Sequence, residues 1–222
     1  MVSGSLKPRL LDLFCGAGGA GMGYHRAGFG EIVGVDNAPQ PRYPFEFVQG
    51  DALEYVAEHG HEFDAIHASP PCQRYSVMSR NDKEYPDLYD PTRALLLSNG
   101  VPWVIENVIG APYGYGFVLC GSMFDLPVRR HRNFETSFLA LRPGCDHARQ
   151  GKAITVAGHG SRKDGGMSPS KHSWKGFHHL WPQYMGMTWA TPYEASLAVP
   201  PAYTEYIGQA LIQNLGHQKA VS

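Results

Sequence analysis

Short apolar runs alternate with amphipathic stretches through the first half of the chain. Arg9-Leu10-Leu11-Asp12-Leu13-Phe14 reads as a buried strand. It ends at a glycine cluster, Gly16-Ala17-Gly18-Gly19-Ala20-Gly21, that opens a helix running toward Ala27. Glu31 to Val35 forms a second strand closed by Asp36. Phe45 to Val48 forms a third, followed by Gly50-Asp51 and a helix to Glu58. Phe63 to Ala68 forms a fourth, ending at Ser69-Pro70-Pro71-Cys72. Pro91 to Ser98 is helical, and Pro102 to Ile105 is a fifth strand ending at Glu106-Asn107. Strand, helix and strand repeated in this way predict an α/β fold, a mostly parallel sheet with helices on both faces.

The second half loses this regularity. Residues 142–175 are rich in Gly, Ser, Lys and His, and only Ala153-Ile154-Thr155-Val156 is an apolar run. This predicts a small loop-rich insert with one hairpin at most. Helical spacing returns after Thr191. A helix starting at Pro200-Pro201 carries Tyr203, Ile207, Ala210, Leu211 and Leu215 on one face. The expected organisation is therefore a catalytic and ligand-binding part over 1–140, an insert over 141–183, and a segment over 184–222 that returns to the first part.

Composition sharpens this picture in two places. The formal net charge of the 222 residues is −1, yet Arg129 to Lys175 holds ten Lys or Arg against Glu135, Asp146 and Asp164. That segment carries +7, the rest −8, and six of the eleven histidines lie in or just after it. One basic face for a polyanion is the expectation, with a solvated loop as the bland alternative. No apolar run is long enough for a membrane span. The start of the chain lacks a secretory signal, and the four cysteines show no paired spacing, so reduced thiols and a cytoplasmic setting are expected.

The polar residues worth chemistry sit where the strands end, the place where open α/β sheets bind ligands. The glycine turn gives a ligand access to the backbone and a helix N-terminus. Alone it is a weak signal, because a dinucleotide site would look similar. Asp36 can accept from ribose hydroxyls, and Asp51 can meet a base or simply cap the next helix. Cys72 follows two prolines and precedes polar Gln73, Arg74, Tyr75 and Ser76, which suits a nucleophile better than a core thiol. Glu106 ends a buried strand and must be paired or functional. Arg130 and Arg132 occupy alternate positions of an expected strand and should point the same way, toward a phosphate or a carbonyl oxygen. Cys145-x-His147, with His159, His172, His178 and His179 nearby, contains metal-ligand types, but the spacing matches no standard finger and no metal site is assigned. Trp174, Phe177, Trp181 and Trp189 are expected to form a satellite core tying the insert to the sheet.

Taken together, Leu11-Asp12-Leu13-Phe14-Cys15-Gly16-Ala17-Gly18-Gly19, Ser69-Pro70-Pro71-Cys72-Gln73, Val104-Ile105-Glu106-Asn107-Val108 and Arg129-Arg130-His131-Arg132 resemble, in order, the signature motifs of DNA (cytosine-5) methyltransferases. The similarity covers about residues 9–137 and 184–215 and is nearest in character to compact phage-type members. It implies a Rossmann-like fold that uses S-adenosylmethionine and releases S-adenosylhomocysteine. It further implies that Cys72 adds to carbon 6 of a flipped cytosine and that Glu106 bonds to N3. Arg132 and Arg130 would hold the base or its phosphate, and Asn107 would orient the loop. Phe14, Gly16, Gly18, Asp36, Asn37, Asp51, Ala52, Pro70 and Val199 would line the donor site. Gln73, Arg74, Tyr75, Ser76 and Arg80, in a loop expected to close over duplex DNA, would contact it together with Lys152, Arg162 and Lys163. The protein would act as a monomer or a homodimer on double-stranded DNA in a bacterial or phage-infected cell.

Three departures from the family pattern stand out. The segment between Phe134 and Tyr184 is short for a target-recognition domain, Val128 replaces a usual glutamine, and Ser196-Leu197 replaces Gly-Asn before Ala198-Val199-Pro200-Pro201. Competing expectations are an RNA (tRNA) cytosine methyltransferase, a catalytically silent DNA-binding relative, and a nicotinamide-dependent oxidoreductase. The last leaves Cys72 and Glu106 without a use.

Overall fold

The computed structural model describes residues 7–71, 86–111, 116–156 and 178–221. Its centre is a seven-stranded sheet in the order β3-β2-β1-β4-β5-β7-β6. In chain order the elements are β1 (Arg9–Leu13), α1 (Gly19–Ala27), β2 (Glu31–Asp36), β3 (Glu46–Gln49), α2 (Ala52–His59), β4 (Ala65–Ala68), α3 (Tyr89–Asn99) and β5 (Trp103–Asn107). They continue with β6 (Phe117–Leu119), β7 (Arg132–Thr136), α4 (His147–Gln150), α5 (Trp181–Met185), α6 (Pro192–Leu197) and α7 (Pro201–Val221). The first five strands are parallel, and β6 and β7 run antiparallel at one edge. The alternation of strand and helix anticipated the parallel part. Three-residue β6 is too short to leave a period in the sequence.

Two apolar layers cover the sheet. On one face Leu10, Tyr24, Phe29, Val104 and Phe134 pack against Tyr203, Ile207, Leu211 and Leu215 of α7. On the other, Leu11, Leu13, Val33, Ile66 and Ile105 pack against Val56 of α2 and Leu96 of α3. Alternate residues of β1 thus serve opposite layers, as the two-residue period of a strand dictates. Helix α7 lies along α1 so closely that a Cβ on Gly23 would be 2.0 Å from Thr204 Oγ1 and 2.2 Å from the Pro201 carbonyl oxygen.

A third cluster joins Ala17, Val128, Val156, Trp181, Met185, Met187, Ala190 and Ala195. Trp189 packs on it and donates from Nε1 to the Ala17 carbonyl at 2.8 Å. Trp181, at the end of the insert, and Trp189, just after it, therefore tie this part of the chain to the β1–α1 turn. Trp174 and Phe177 lie outside the described residues. Among the described residues, the apolar run at Ile154 makes one isolated parallel bridge with Val128.

Candidate active site

The strand order places β1 between β2 and β4, so the connections leave β1 in opposite directions and open a crevice at the carboxyl ends. A cleft of about 680 Å³ lies there. Phe14, Gly16, Asp36, Asn37, Asp51, Ala52, Pro70, Val199, Glu106 and Arg132 all line it. These positions come from seven separate parts of the chain.

The β1–α1 turn is built by backbone torsion. Phe14 (φ 55°) and Gly16 (φ 48°) both adopt left-handed conformations, a strain that a non-glycine residue such as Phe14 rarely accepts. A Cβ at Gly16 would meet no atom within 4 Å, so the backbone there borders open space. Asp36 fixes the turn. Its Oδ2 accepts from the Gly16 amide and its Oδ1 from the Ala38 amide, each at 3.0 Å. Both oxygens keep a further lone pair for a ligand hydroxyl. Asp51 caps α2, with Oδ1 accepting from Leu53 and Glu54 amides at 2.7 and 3.1 Å, while the residue also borders the cleft. The cap and the ligand-facing alternatives are thus compatible.

Gly18 departs from its expected place. It is the left-handed N-cap of α1, a Cβ there would lie 2.6 Å from Pro44, and it does not line the cleft. Its glycine is required by helix entry against the Tyr43-Pro44 segment.

At the other end of the cleft, Glu106 and Arg132 are diagonal neighbours on one sheet face, because Glu106 is opposite Phe134 in the antiparallel β5–β7 pair. Arg132 Nε lies 2.8 Å from Glu106 Oε1. That distance is an ion pair, but the N–H is not aimed at the oxygen, and Oε1 is buried without a hydrogen bond among the described residues. Burial raises the pKa of Glu106, and Arg132, Arg130 and a hydrogen bond from Ser69 pull it back without cancelling the effect. The carboxyl therefore holds a proton to higher pH than an exposed glutamate.

Ser69 belongs to a buried polar chain. Tyr24 Oη is 3.0 Å from His67 Nδ1, and His67 Nε2 is 2.9 Å from Ser69 Oγ. Burial lowers His67 to about 3, so the imidazole is neutral and has one N–H. While Glu106 is a carboxylate it can only accept, so Ser69 donates to it, His67 Nε2–H donates to Ser69, and Tyr24 donates to Nδ1. His67 and Tyr24 carry no separate sequence signal, because they look like ordinary strand and helix core positions. Asn107 completes this end. Its Nδ2 donates to the Pro70 carbonyl at 3.1 Å and its Oδ1 accepts from Val108 at 2.8 Å, so it ties β5 to the Pro70-Pro71 turn.

Arg130 is not Arg132's partner in the cleft. Strand β7 starts at Arg132, so the alternation argument does not extend back to residue 130. The Arg130 guanidinium is buried and donates to the Val156 and Ser196 carbonyls, both at 2.9 Å, while its own carbonyl accepts from the Tyr203 hydroxyl. It braces the insert, α6 and α7 instead of facing a ligand. Lys152 is exposed, away from the cleft. Cys72, Gln73, Arg74, Tyr75, Ser76, Arg80, Arg162 and Lys163 lie outside the described residues, as does most of the proposed closing loop. Tyr193, Leu197, Leu53 and Leu88 also border the cleft. Their side chains carry no chemistry that a sequence would flag.

Residues 8–95 match the family model of C-5 cytosine-specific DNA methylases. The Type II methyltransferase M.XorII of Xanthomonas oryzae pv. oryzae is 29% identical over 126 residues, covering 49% of this chain and 30% of that protein. The Type II methyltransferase M.AquIA of Picosynechococcus is 29% identical over 130 residues, covering 47% and 50%. The chain thus spans half or less of the length of these curated relatives. Among solved structures, the S. pombe Dnmt2 methyltransferase superposes with a TM-score of 0.63 at 13% identity, covering 94% of this chain and 99% of that one. The Entamoeba histolytica methyltransferase EhMeth gives 0.59 at 12% identity, covering 95% and 99%. These superpositions show the Rossmann-like methyltransferase fold. With the motifs of residues 8–95 lying on that fold, this part of the chain is similar to the C-5 cytosine-specific DNA methylases.

Proposed function

We infer that the protein methylates carbon 5 of cytosine in duplex DNA, with S-adenosylmethionine as donor. The observation that carries this reading is the buried, unfilled acceptor Glu106 Oε1 beside Arg132, in the same cleft as Asp36 and Gly16. A buried carboxylate oxygen without a donor costs free energy. A protonated ring nitrogen would satisfy it, and the raised pKa lets the same group deliver that proton.

The residues at the Gly16 end fit the donor. The open backbone at Gly16 leaves room for its methionine part, Asp36 would accept from the ribose hydroxyls, and Asp51 and Asn37 would flank the base. When bound, S-adenosylmethionine supplies the methyl group. Val199 would close the pocket from the segment before α7. At the Glu106 end, the Cys72 thiolate would add to carbon 6 of the cytosine while Glu106 protonates or bonds N3, drawing electrons from the ring. Arg132 would hold the base and favour the thiolate. Asn107 would hold the Pro70-Pro71 turn that leads into Cys72. The base must leave the duplex first, at a cost of a few kcal/mol. The basic segment after Arg129 supplies the electrostatic surface for the DNA.

The test uses a tritiated methyl donor with duplex DNA, single-stranded DNA and tRNA in separate reactions. Label is expected on duplex DNA, and Cys72→Ser should abolish it while donor binding persists. Label confined to tRNA would replace this proposal by the RNA reading. Full activity in Cys72→Ser would remove the assigned nucleophile.

A further inference from the structure

The carboxyl end of β6, the residue before β7 and the entry to α4 bring four metal-ligating side chains together. Ligand atoms of Cys120, His131, Cys145 and His147 all lie within 4.8 Å of one another. Cys120 Sγ is 3.3 Å from His147 Nε2, and Cys145 Sγ is 3.7 Å from His131 Nε2. Adjacent ligands of a tetrahedral zinc centre, with Zn–S about 2.3 Å and Zn–N about 2.05 Å, stand roughly 3.3–3.8 Å apart. The observed separations therefore need little adjustment to close around one ion.

The surroundings give such a cross-link a purpose. Leu139 and Leu141 are 84% and 73% exposed, and after Phe138, which packs on the core under α7, no residue through the end of α4 is buried. The anchors of this stretch are polar, chiefly Arg129 to Gln150 and Gly151, and Gln150 to the Leu126 and Val128 carbonyls. Cys120 is fully buried at the sheet, whereas Cys145 is exposed and the two histidines are half-buried. An ion would thus fasten a surface segment to the sheet and would have an entry path. The Ser122 hydroxyl donates to Cys120 Sγ at 3.4 Å, the kind of outer contact that supports a metal-bound thiolate. Nothing in the methyl-transfer chemistry uses these four side chains.

We propose that Cys120, His131, Cys145 and His147 form a closed, structural Cys2His2 zinc site that holds the basic insert on the catalytic sheet. Two thiolates and two imidazoles in a tetrahedral arrangement select zinc over magnesium or calcium. Both thiols release their protons on binding, so zinc retention should weaken on acidification. His131 is also the residue before Arg132, so the ion would pin the first residue of β7 and through it the cation facing Glu106.

The experiment is zinc analysis of the full chain, purified reduced and without a polyhistidine tag, after dialysis against a weak chelator. About one zinc per chain is expected for the wild type and for the His178→Ala/His179→Ala double variant, against less than about a fifth of that for Cys145→Ser and for His147→Ala. Circular dichroism checks that these variants fold. If they do not, cobalt(II) added to metal-free wild type decides, since two thiolates in a tetrahedral site give intense visible and sulfur charge-transfer bands. Folded wild type that retains no zinc after reconstitution would overturn the proposal. So would full zinc in both ligand variants, an octahedral cobalt spectrum, or a Cys120–Cys145 disulfide in protein isolated with its thiols protected.

Discussion

Asp12 should make the protein lose stability as pH rises through the weakly acidic range. It sits in the middle of β1 with no exposed surface. Its Oδ2 accepts from the Tyr43 hydroxyl at 3.0 Å and the Gly21 amide at 3.1 Å, while Oδ1 is buried without a hydrogen bond among the described residues. Burial dominates and pushes its pKa up to about 7, against the two hydrogen bonds, with Asp36 adding to the rise. Because the folded value exceeds the ordinary aspartate value, the native state holds a proton that the unfolded chain releases between about pH 4 and pH 7. Stability from this group is complete below pH 4 and declines as pH rises through the folded value. From about 3.9 in the unfolded chain to about 7 in the fold, the total is about 4 kcal/mol, nearly all lost by pH 7.

The substitution Asp12→Asn keeps an acceptor for Tyr43 and Gly21 and removes the titration. Urea unfolding of both proteins at intervals from pH 4 to pH 8 isolates the group, because every other titrating residue contributes to both curves. Relative to the variant, the wild type should lose about 1.4 kcal/mol for each pH unit across the window and level off above it. Parallel curves, or a wild type that gains on the variant as pH rises, would refute the assignment of a buried, protonated Asp12.

Two further substitutions test the frame and the donor end. Gly23→Ala places a methyl group against Thr204 and the Pro201 carbonyl, and overpacking of about 3 kcal/mol outweighs a helix-propensity gain of about 1 kcal/mol. A melting temperature lowered by about 4–8 °C is expected, and an unchanged one would mean that α1 and α7 are not so closely apposed. Asp36→Asn should weaken S-adenosylhomocysteine binding by about 10–100-fold in calorimetry, as loss of charge-assisted bonds to hydroxyls implies. Unchanged affinity would remove Asp36 from the donor site.

The parallel half of the sheet was legible because each strand is an apolar run ending in a polar residue. Leu10, Leu11 and Leu13 end toward Gly16, Ile32 to Val35 end at Asp36, and Val104-Ile105 end at Glu106. Those endings also located the cleft, since strand ends share one edge of a parallel sheet. Contacts made across long loops were not legible. Arg130 looked equivalent to Arg132 by alternation, but the strand begins between them, and what Arg130 holds are two carbonyls 26 and 66 residues away. The Cys2His2 grouping was hidden for the same reason. Cys145 and His147 were visible as a pair, but their partners Cys120 and His131 come from the edge strands β6 and β7, the part of the sheet least marked in the sequence.

The cleft concentrates unfavourable chemistry, and the rest of the fold has to offset it. Asp12 and Glu106 are both buried carboxyls with raised pKa, each with one oxygen lacking a hydrogen bond among the described residues, and Phe14 holds a left-handed backbone. Each feature lowers stability, and all three border the same cavity. What surrounds them is satisfied instead. Glu135 is paired with Arg93 and hydrogen-bonded by Tyr89, Arg130 spans Val156 and Ser196, and α7 seals α1 over Tyr203, Ile207 and Leu211. A purely structural sheet would gain by replacing Glu106 with an apolar residue of similar size. That exchange would leave Arg132 without its carboxylate and remove the group that can meet a ring nitrogen. The proposed function gives this cost a use, because a ligand there would complete the site. Under the proposed function, a flipped pyrimidine bound at Glu106 would satisfy Oε1 and should stabilise the fold.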